Sequence, residues 1–205
     1  MNKNISEMLK LYKPNTLYWY NRIKFFLFPF IKLEMLVPKK GFIIDLGCSH
    51  GLLANYLGLT SETREILGVE MNKNKIKFAN IGIRNTKFNE GDITKIDIPQ
   101  ADCIIFTHVL HHLFTYKDQE KLLRFCYDKL KLDGILIICE IDKTPKWKYI
   151  ISLISDKVLY PFEKINFIPI ENLKTLLKKI NFDVEIIPMH KGSVFSHIAF
   201  VGKKI

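Results

Sequence analysis

A short apolar run, Phe42-Ile43-Ile44, leads directly into Asp45-Leu46-Gly47-Cys48-Ser49-His50-Gly51, and a helix-length apolar stretch follows to Leu59. That order of strand, glycine turn and helix narrows the folds open to this chain more than any other feature. Glycine at 47 lets the backbone turn sharply and approach a ligand closely. Gly51 opens a helix whose first N–H groups lack intrahelical partners and point toward whatever sits above the strand end. An acidic residue, Glu70, ends the next apolar run about 20 positions further on, which suits a carboxylate receiving both hydroxyls of a ribose. The turn does not match G-x-G-x-x-G, so a single nucleoside is favoured over a dinucleotide. Taken singly, Asp45 could do no more than cap the turn, and Glu70 could be an ordinary strand-end carboxylate.

The rest of the chain extends the pattern. Residues 1–37 read as amphipathic helices broken at Pro14 and Pro29, followed by a turn at Pro38-Lys39-Lys40-Gly41. Glu65 to Glu70 is a second strand, and Asn72 starts a helix carrying Ile76, Ala79 and Ile83 on one face. Thr86 to Asn89 is a third strand and Ala101 to Thr107 a fourth. A helix from Tyr116 to Leu132, ended by Asp133-Gly134, precedes a fifth strand, Ile135 to Cys139. Strands this uniformly apolar are covered on both faces, which implies a parallel sheet between helix layers. Lys146 to Tyr160 and Glu171 to Ile180 read as helices. Phe182 to Ile187 and Phe195 to Val201 are strands with no helix between them, hence an antiparallel hairpin. The expectation is a Rossmann-like, doubly wound, mostly parallel seven-stranded sheet in a single domain. It comprises an N-terminal helical cap (1–37), a nucleoside-binding core (41–140) and helices with the terminal hairpin (141–205).

Composition sets bounds on function. Nearly half of the 205 residues are hydrophobic and a quarter charged, the balance of a globular chain. Cys48, Cys103, Cys126 and Cys139 form no C-x-x-C pair, so they are expected as reduced thiols in a cytoplasmic protein, with no zinc site. The formal charge of +10 favours anionic partners such as nucleic acid, anionic lipid or an acidic substrate, without choosing among them. Phe25-Phe26-Leu27-Phe28-Pro29-Phe30-Ile31, bracketed by Lys24 and Lys32, is too short to span a bilayer. It reads as a helix packed on the domain, or as a lid or interfacial foot for an apolar substrate.

Asp45-Leu46-Gly47-Cys48-Ser49-His50-Gly51 resembles the first motif of class I S-adenosylmethionine-dependent methyltransferases, commonly Asp-Leu-Gly-Cys-Gly-x-Gly. The chain departs from it at Ser49. Glu70 matches the family's ribose-binding acid and Met71 a residue lining the adenine. Gly91-Asp92-Ile93 matches the motif whose Asp bonds the adenine amino group. Ala101 through Thr107-His108-Val109-Leu110-His111-His112-Leu113 resembles the fourth-strand motif, and Leu130 to Leu136 the usual entry to the fifth strand. The resemblance covers residues 42–140 in order, and the terminal hairpin resembles the family's reversed last strand. It implies S-adenosylmethionine as cofactor, held by Asp45, Gly47, Gly51, Glu70, Met71, Asp92, Ile93 and Thr107. Position 108 in the resembling enzymes faces the methyl group, which makes His108 the candidate catalytic residue, as base or acceptor contact. His108, His111 and His112 could also suggest a metal, but the family resemblance makes position 112 a packing residue, and none is expected.

Methyl transfer from a sulfonium is an in-line displacement in which positioning supplies much of the acceleration. The acceptor is therefore less legible than the cofactor. The Asn/Asp-Pro-Pro-Tyr/Phe motif of nucleobase amino-methylation and the Pro-Cys pair of cytosine carbon methylation are absent after the fourth strand. The stretch resembles enzymes of small molecules or lipids. Asp142, Trp147, Lys148, Tyr149 and Tyr160 are candidate walls of the acceptor pocket, and the N-terminal helices a candidate peripheral membrane contact. The alternatives are an RNA methyltransferase with a basic groove, and a non-catalytic nucleoside-binding or partner-activating module in which Ser49 impairs the site.

Overall fold

The computed structural model describes residues 3–113, 115–159 and 168–205. Alternation of strands and helices produces one seven-stranded sheet. Three helices come first: α1 (Lys3–Lys10), α2 (Asn15–Leu27) and α3 (Phe30–Leu36), with Pro14 and Pro29 at the breaks. The core follows as β1 (Gly41–Leu46), α4 (Leu52–Thr60), β2 (Arg64–Glu70), α5 (Lys73–Ala79), β3 (Thr86–Glu90) and β4 (Ala101–Thr107). A short 3₁₀ turn, Leu110–His112, leads to α6 (Tyr116–Lys129) and β5 (Leu130–Ile141). The chain continues through α7 (Lys146–Leu159), α8 (Ile170–Lys179), β6 (Phe182–Pro188) and β7 (His197–Lys204). The strand order is β3-β2-β1-β4-β5-β7-β6, with β7 antiparallel to both its neighbours and the other pairs parallel. The order reverses between β1 and β4, and ligands of open α/β sheets bind at the carboxyl ends of strands beside such a reversal.

Neighbouring residues of a strand point to opposite faces, and the two cores follow from that. Ile43, Ile66, Cys103, Ile105, Ile137 and Cys139 meet α4 and the N-terminal helices on one face. Ile44, Leu67, Ile104, Phe106, Leu136 and Ile138 meet α6 and α8 on the other. Arg64 bolts the N-terminal helices to the sheet. Its fully buried guanidinium donates to the carbonyl oxygens of Pro38 (2.7 Å), Val37 (3.0 Å) and Leu57 (3.0 Å), and lies 3.1 Å from Glu34 Oε1.

Several boundaries differ from the sequence expectation, among them the start of β5, at Leu130 rather than Ile135. The helix α6 ends at Lys129 rather than Leu132, because Leu130 turns extended, is buried and pairs with Ala101 of β4. The strand register then shifts before Ile135, and Asp133 takes the left-handed conformation (φ 61°) in the excursion. The helix after Asn72 stops at Ala79, short of Ile83. The last strand starts at His197 rather than Phe195 and runs on to Lys204. Its polar end is held because Lys204 Nζ donates to the carbonyls of Tyr127 and Leu130, 2.7 Å each.

Candidate active site

The β1–α4 turn is built around three left-handed residues, Gly47 (φ 72°), Ser49 (φ 54°) and Gly51 (φ 70°). A Cβ on Gly47 would lie 2.7 Å from Val109 Cγ2, so the close approach of this turn to the loop after β4 requires glycine there. Ser49 holds its conformation at the cost that any L side chain bears in this region. What keeps it there is Glu70: its Oε2 accepts from the Ser49 amide (3.0 Å) and its Oε1 from the Asn72 amide (2.8 Å). The ends of β1 and β2 are thereby cross-tied by a buried carboxylate with lone pairs to spare.

Asp45 ends in the same place with a different balance. It is 2% exposed, the Ala54 amide of α4 bonds to it, and its Oδ2 has no partner in the protein. Burial pushes its carboxyl up to about 7; the Lys24 ammonium of α2 opposes the rise. Lys24 itself is drawn down to about 8 by burial and by the cation of Lys75, against the pull of Asp45 and Glu70. A buried acceptor without a partner, facing a half-buried lysine, is an amphoteric pair set to receive a ligand carrying both charges.

One cavity of about 970 Å³ runs over these groups. Asp45, Gly47, Glu70, Met71, Asp92, Ile93, Thr107 and His108 all line it, so eight of the nine residues singled out from sequence come together. Gly51 is not in the lining; it packs behind the turn, where a Cβ would lie 2.7 Å from the Phe88 ring. Asp92 is partly engaged locally: Oδ1 accepts from the Thr94 amide (2.9 Å) and hydroxyl (2.7 Å), and Lys95 lies 3.3 Å from Oδ2. The expected far walls Asp142, Trp147, Lys148 and Tyr149 do not line the cavity. Lys148 Nζ is spent on the carbonyls of His190 (2.7 Å) and Ser193 (2.6 Å), which turns the inner face of α7 so that Ser152 and Ser155 face the cavity instead. Tyr160 lies outside the described residues.

His108 follows β4 in a left-handed conformation (φ 57°) and its amide donates to the Cys139 carbonyl (2.9 Å). Its ring packs between Phe28 (4.8 Å between centroids) and His197 (5.0 Å). Nε2 is buried without a hydrogen-bond partner. Burial, reinforced by His197, holds the ring neutral, well below the ordinary histidine range. His111 instead braces the backbone. Its Nδ1 lies 2.6 Å from Glu140 Oε2, while Glu140 Oε1 accepts from the Leu110 amide (3.0 Å), fixing the 3₁₀ turn. Among the described residues no group of three or more His, Cys, Asp or Glu side chains gathers as a metal site. Sequence reading missed Tyr20, Lys24 and Phe28, which line the cavity from α2 and its C-terminal end. The available signal was their i, i+4, i+8 spacing, which sets one basic residue on an aromatic helix face.

A reversal point between β1 and β4, a glycine turn and a carboxylate on the next strand define a nucleoside-binding α/β protein. A family model described as a methyltransferase domain matches residues 18–186, and the chain belongs to that family, the S-adenosylmethionine-dependent methyltransferases of class I. The chain is 29% identical over 102 residues to a carboxy-S-adenosyl-L-methionine synthase of Nautilia profundicola, covering 48% of this chain and 43% of that protein. It is 25% identical over 165 residues to the mitochondrial ubiquinone biosynthesis O-methyltransferase of Bos taurus, covering 71% of this chain and 42% of that one. The chain thus spans less than half the length of these relatives. Its fold is similar to that of an O-methyltransferase family 2 protein from Planctomyces limnophilus in complex with apigenin, with a TM-score of 0.71, 16% identity, and coverage of 86% and 57% of the two chains. The cofactor of the family, S-adenosylmethionine, fits the residues present: the orphaned Asp45 Oδ2 is free to accept from an ammonium, and Glu70, held by two amides, keeps lone pairs for hydroxyls on the cavity wall.

Proposed function

We propose that the protein methylates a small, apolar or lipid-like acceptor, and that Lys24, Asp45, Glu70 and His108 divide the work. The observation that carries the reading is the continuity of the cavity. It passes from Asp45 and Glu70, by Thr107 and His108, to an apolar end made by Ile23, Leu27, Phe28 and Phe195. About 970 Å³ is at the upper end for small-molecule sites, enough for a nucleoside cofactor and part of an acceptor. The apolar lining favours a small acceptor over RNA, and the ubiquinone-pathway relative supports an acceptor oxygen on a lipid-like body.

Bound S-adenosylmethionine supplies an activated methyl group. Asp45 Oδ2 would accept from the cofactor's ammonium and Lys24 would meet its carboxylate. Glu70, held by two backbone amides, would use its remaining lone pairs for the ribose hydroxyls. Met71 and Ile93 would offer apolar surface to the adenine, and Asp92 lines the same cavity. His108, neutral and with Nε2 unpaired, accepts the proton of an acceptor hydroxyl as the nucleophile is aligned. The loop after β4 and Phe28 hold that ring in place and exclude water from it. A cytoplasmic location belongs to the same proposal and is supported by four free, buried thiols.

Calorimetry with S-adenosylmethionine tests the cradle: wild type binds and Glu70→Ala does not. Equal binding by the two proteins refutes it. Labelled cofactor with a panel of hydroxylated lipids, quinols and RNA then tests the acceptor, with His108→Asn expected to lower turnover while cofactor affinity holds. Transfer to RNA alone would overturn the acceptor class.

A further inference from the structure

We infer that the mouth of the cavity is a docking face for an anionic lipid surface, formed by α2 and α7 together. This rests on the lipid-like acceptor proposed above, but binding to vesicles can be read whether or not methyl transfer occurs.

Helix α2 has three faces. Leu17, Asn21 and Phe25 are buried against the core, and Tyr20, Lys24 and Leu27 face the cavity. The third face, Trp19, Ile23 and Phe26 at i, i+4, i+7, is 56%, 57% and 86% exposed. Helix α7 repeats the arrangement. Ser152 and Ser155 turn to the cavity, while Trp147, Ile150, Ile151 and Ile154 are 57%, 54%, 37% and 59% exposed. Ile23 and Ile154 are at once exposed and part of the cavity lining, so both stripes reach the rim of the same opening. The loop between β6 and β7 ties them to one body. The Ser193 hydroxyl donates to the Leu27 carbonyl (3.0 Å) at the end of α2, and Lys148 of α7 donates to the carbonyls of His190 and Ser193.

Large apolar side chains exposed at the rim of one cavity mark an interaction site, and charge selects the partner. Residues 8–33 contain Lys10, Lys13, Arg22, Lys24 and Lys32 and no carboxylate; residues 143–155 contain Lys143, Lys146 and Lys148 and again none. An apolar face with tryptophan, on two segments whose charges are mostly cationic, with Asp142 and Asp156 at the ends of the second, matches the boundary between anionic headgroups and acyl chains. No helix among the described residues is long and apolar enough to cross a bilayer, so the stripes lie on the surface. Docked this way, the rim opens into the layer in which an apolar acceptor is dissolved, and the acceptor enters without crossing water.

The chain's two tryptophans are Trp19 and Trp147, one on each stripe, which makes the test direct. Trp19→Phe and Trp147→Phe each leave one reporter. With vesicles of phosphatidylcholine and phosphatidylglycerol at low salt, emission shifts to the blue in both variants and is quenched by brominated acyl chains. The shift is lost on pure phosphatidylcholine and at high salt. Lys143→Gln and Lys146→Gln each weaken binding about fivefold, the factor for one basic residue near an anionic surface. Phe26→Asp and Ile150→Asp, both outside the cavity lining, abolish it while the circular dichroism and thermal unfolding of the free protein stay as in wild type. A shift in only one reporter, equal binding to neutral vesicles, or a shift that follows protein concentration without lipid would overturn the inference. The last outcome would assign the face to a second copy of the chain.

Discussion

Replacing Asp45 by Asn tests whether the site stores an unpaired charge. The Asp45 carboxyl is carried from an ordinary 3.8 to about 7 in the folded protein. At 1.36 kcal/mol per pH unit, ionising it there costs the fold about 4 kcal/mol at any pH above both values. The sign follows from proton binding. Between 3.8 and about 7 the folded chain holds a proton that the unfolded chain has released, so stability is present below that window and is lost as pH rises through it. The carboxamide introduced by Asp45→Asn carries no charge and accepts from the Ala54 amide as the carboxylate does. Its own N–H groups are left to find partners at a cost that does not vary with pH. The stability of Asp45→Asn relative to wild type should therefore move by about 3–4 kcal/mol in the variant's favour between about pH 4 and about pH 8. Urea titrations of both proteins at the two pH values read the difference, with equal m-values as the check that both unfold alike. The same variant should bind S-adenosylmethionine about 30-fold or more weakly, since a charge-assisted hydrogen bond is worth roughly 2 kcal/mol or more. A stability difference independent of pH would refute the reasoning, because Asp45 would then ionise in the empty site without penalty.

Two other substitutions probe the frame of the site. Arg64→Met removes the donor that binds the carbonyls of Val37, Pro38 and Leu57, leaves those buried acceptors unpaired and leaves Glu34 with Lys39 as its cation; a loss of about 3–5 kcal/mol by urea denaturation is expected. Ser49→Gly relieves a left-handed residue (φ 54°) at the point where the chain departs from the family motif. The relief of about 1–2 kcal/mol is offset by about 0.5–1 kcal/mol of extra chain freedom, so a gain of up to about 1.5 kcal/mol with unchanged cofactor affinity is expected by thermal unfolding and calorimetry. A loss of stability would show that the Ser49 hydroxyl supports the turn.

Much of this protein is determined locally. Phe42 to Gly51 specifies strand, turn and helix through residue chemistry alone, and the glycines at 47 and 51 do take positive φ. Uniformly apolar strands announced a sheet covered on both faces, and it is so covered. Because parallel strands all end at the same edge of the sheet, the residues at the ends of β1, β2 and β4 had to converge, and Asp45, Glu70 and Thr107 line one cavity.

What depends on packing between distant segments was decided only by the tertiary structure. Local periodicity ran α6 on to Leu132, but burial of Leu130 beside Ala101 ended it at Lys129. Lys148 sits on a helix with an obvious apolar stripe, yet two carbonyls of a loop more than forty residues away claim its ammonium and turn that stripe outward. Lys24 reads in sequence as the bracket of an aromatic run, and only the docking of α2 over the sheet brings it to Asp45. The cofactor half of the site is written in the turn after β1, because backbone geometry there depends on neighbours in the chain. The acceptor half is assembled from α2, α7 and the β6–β7 loop, whose relative placement depends on side chains that meet only after folding.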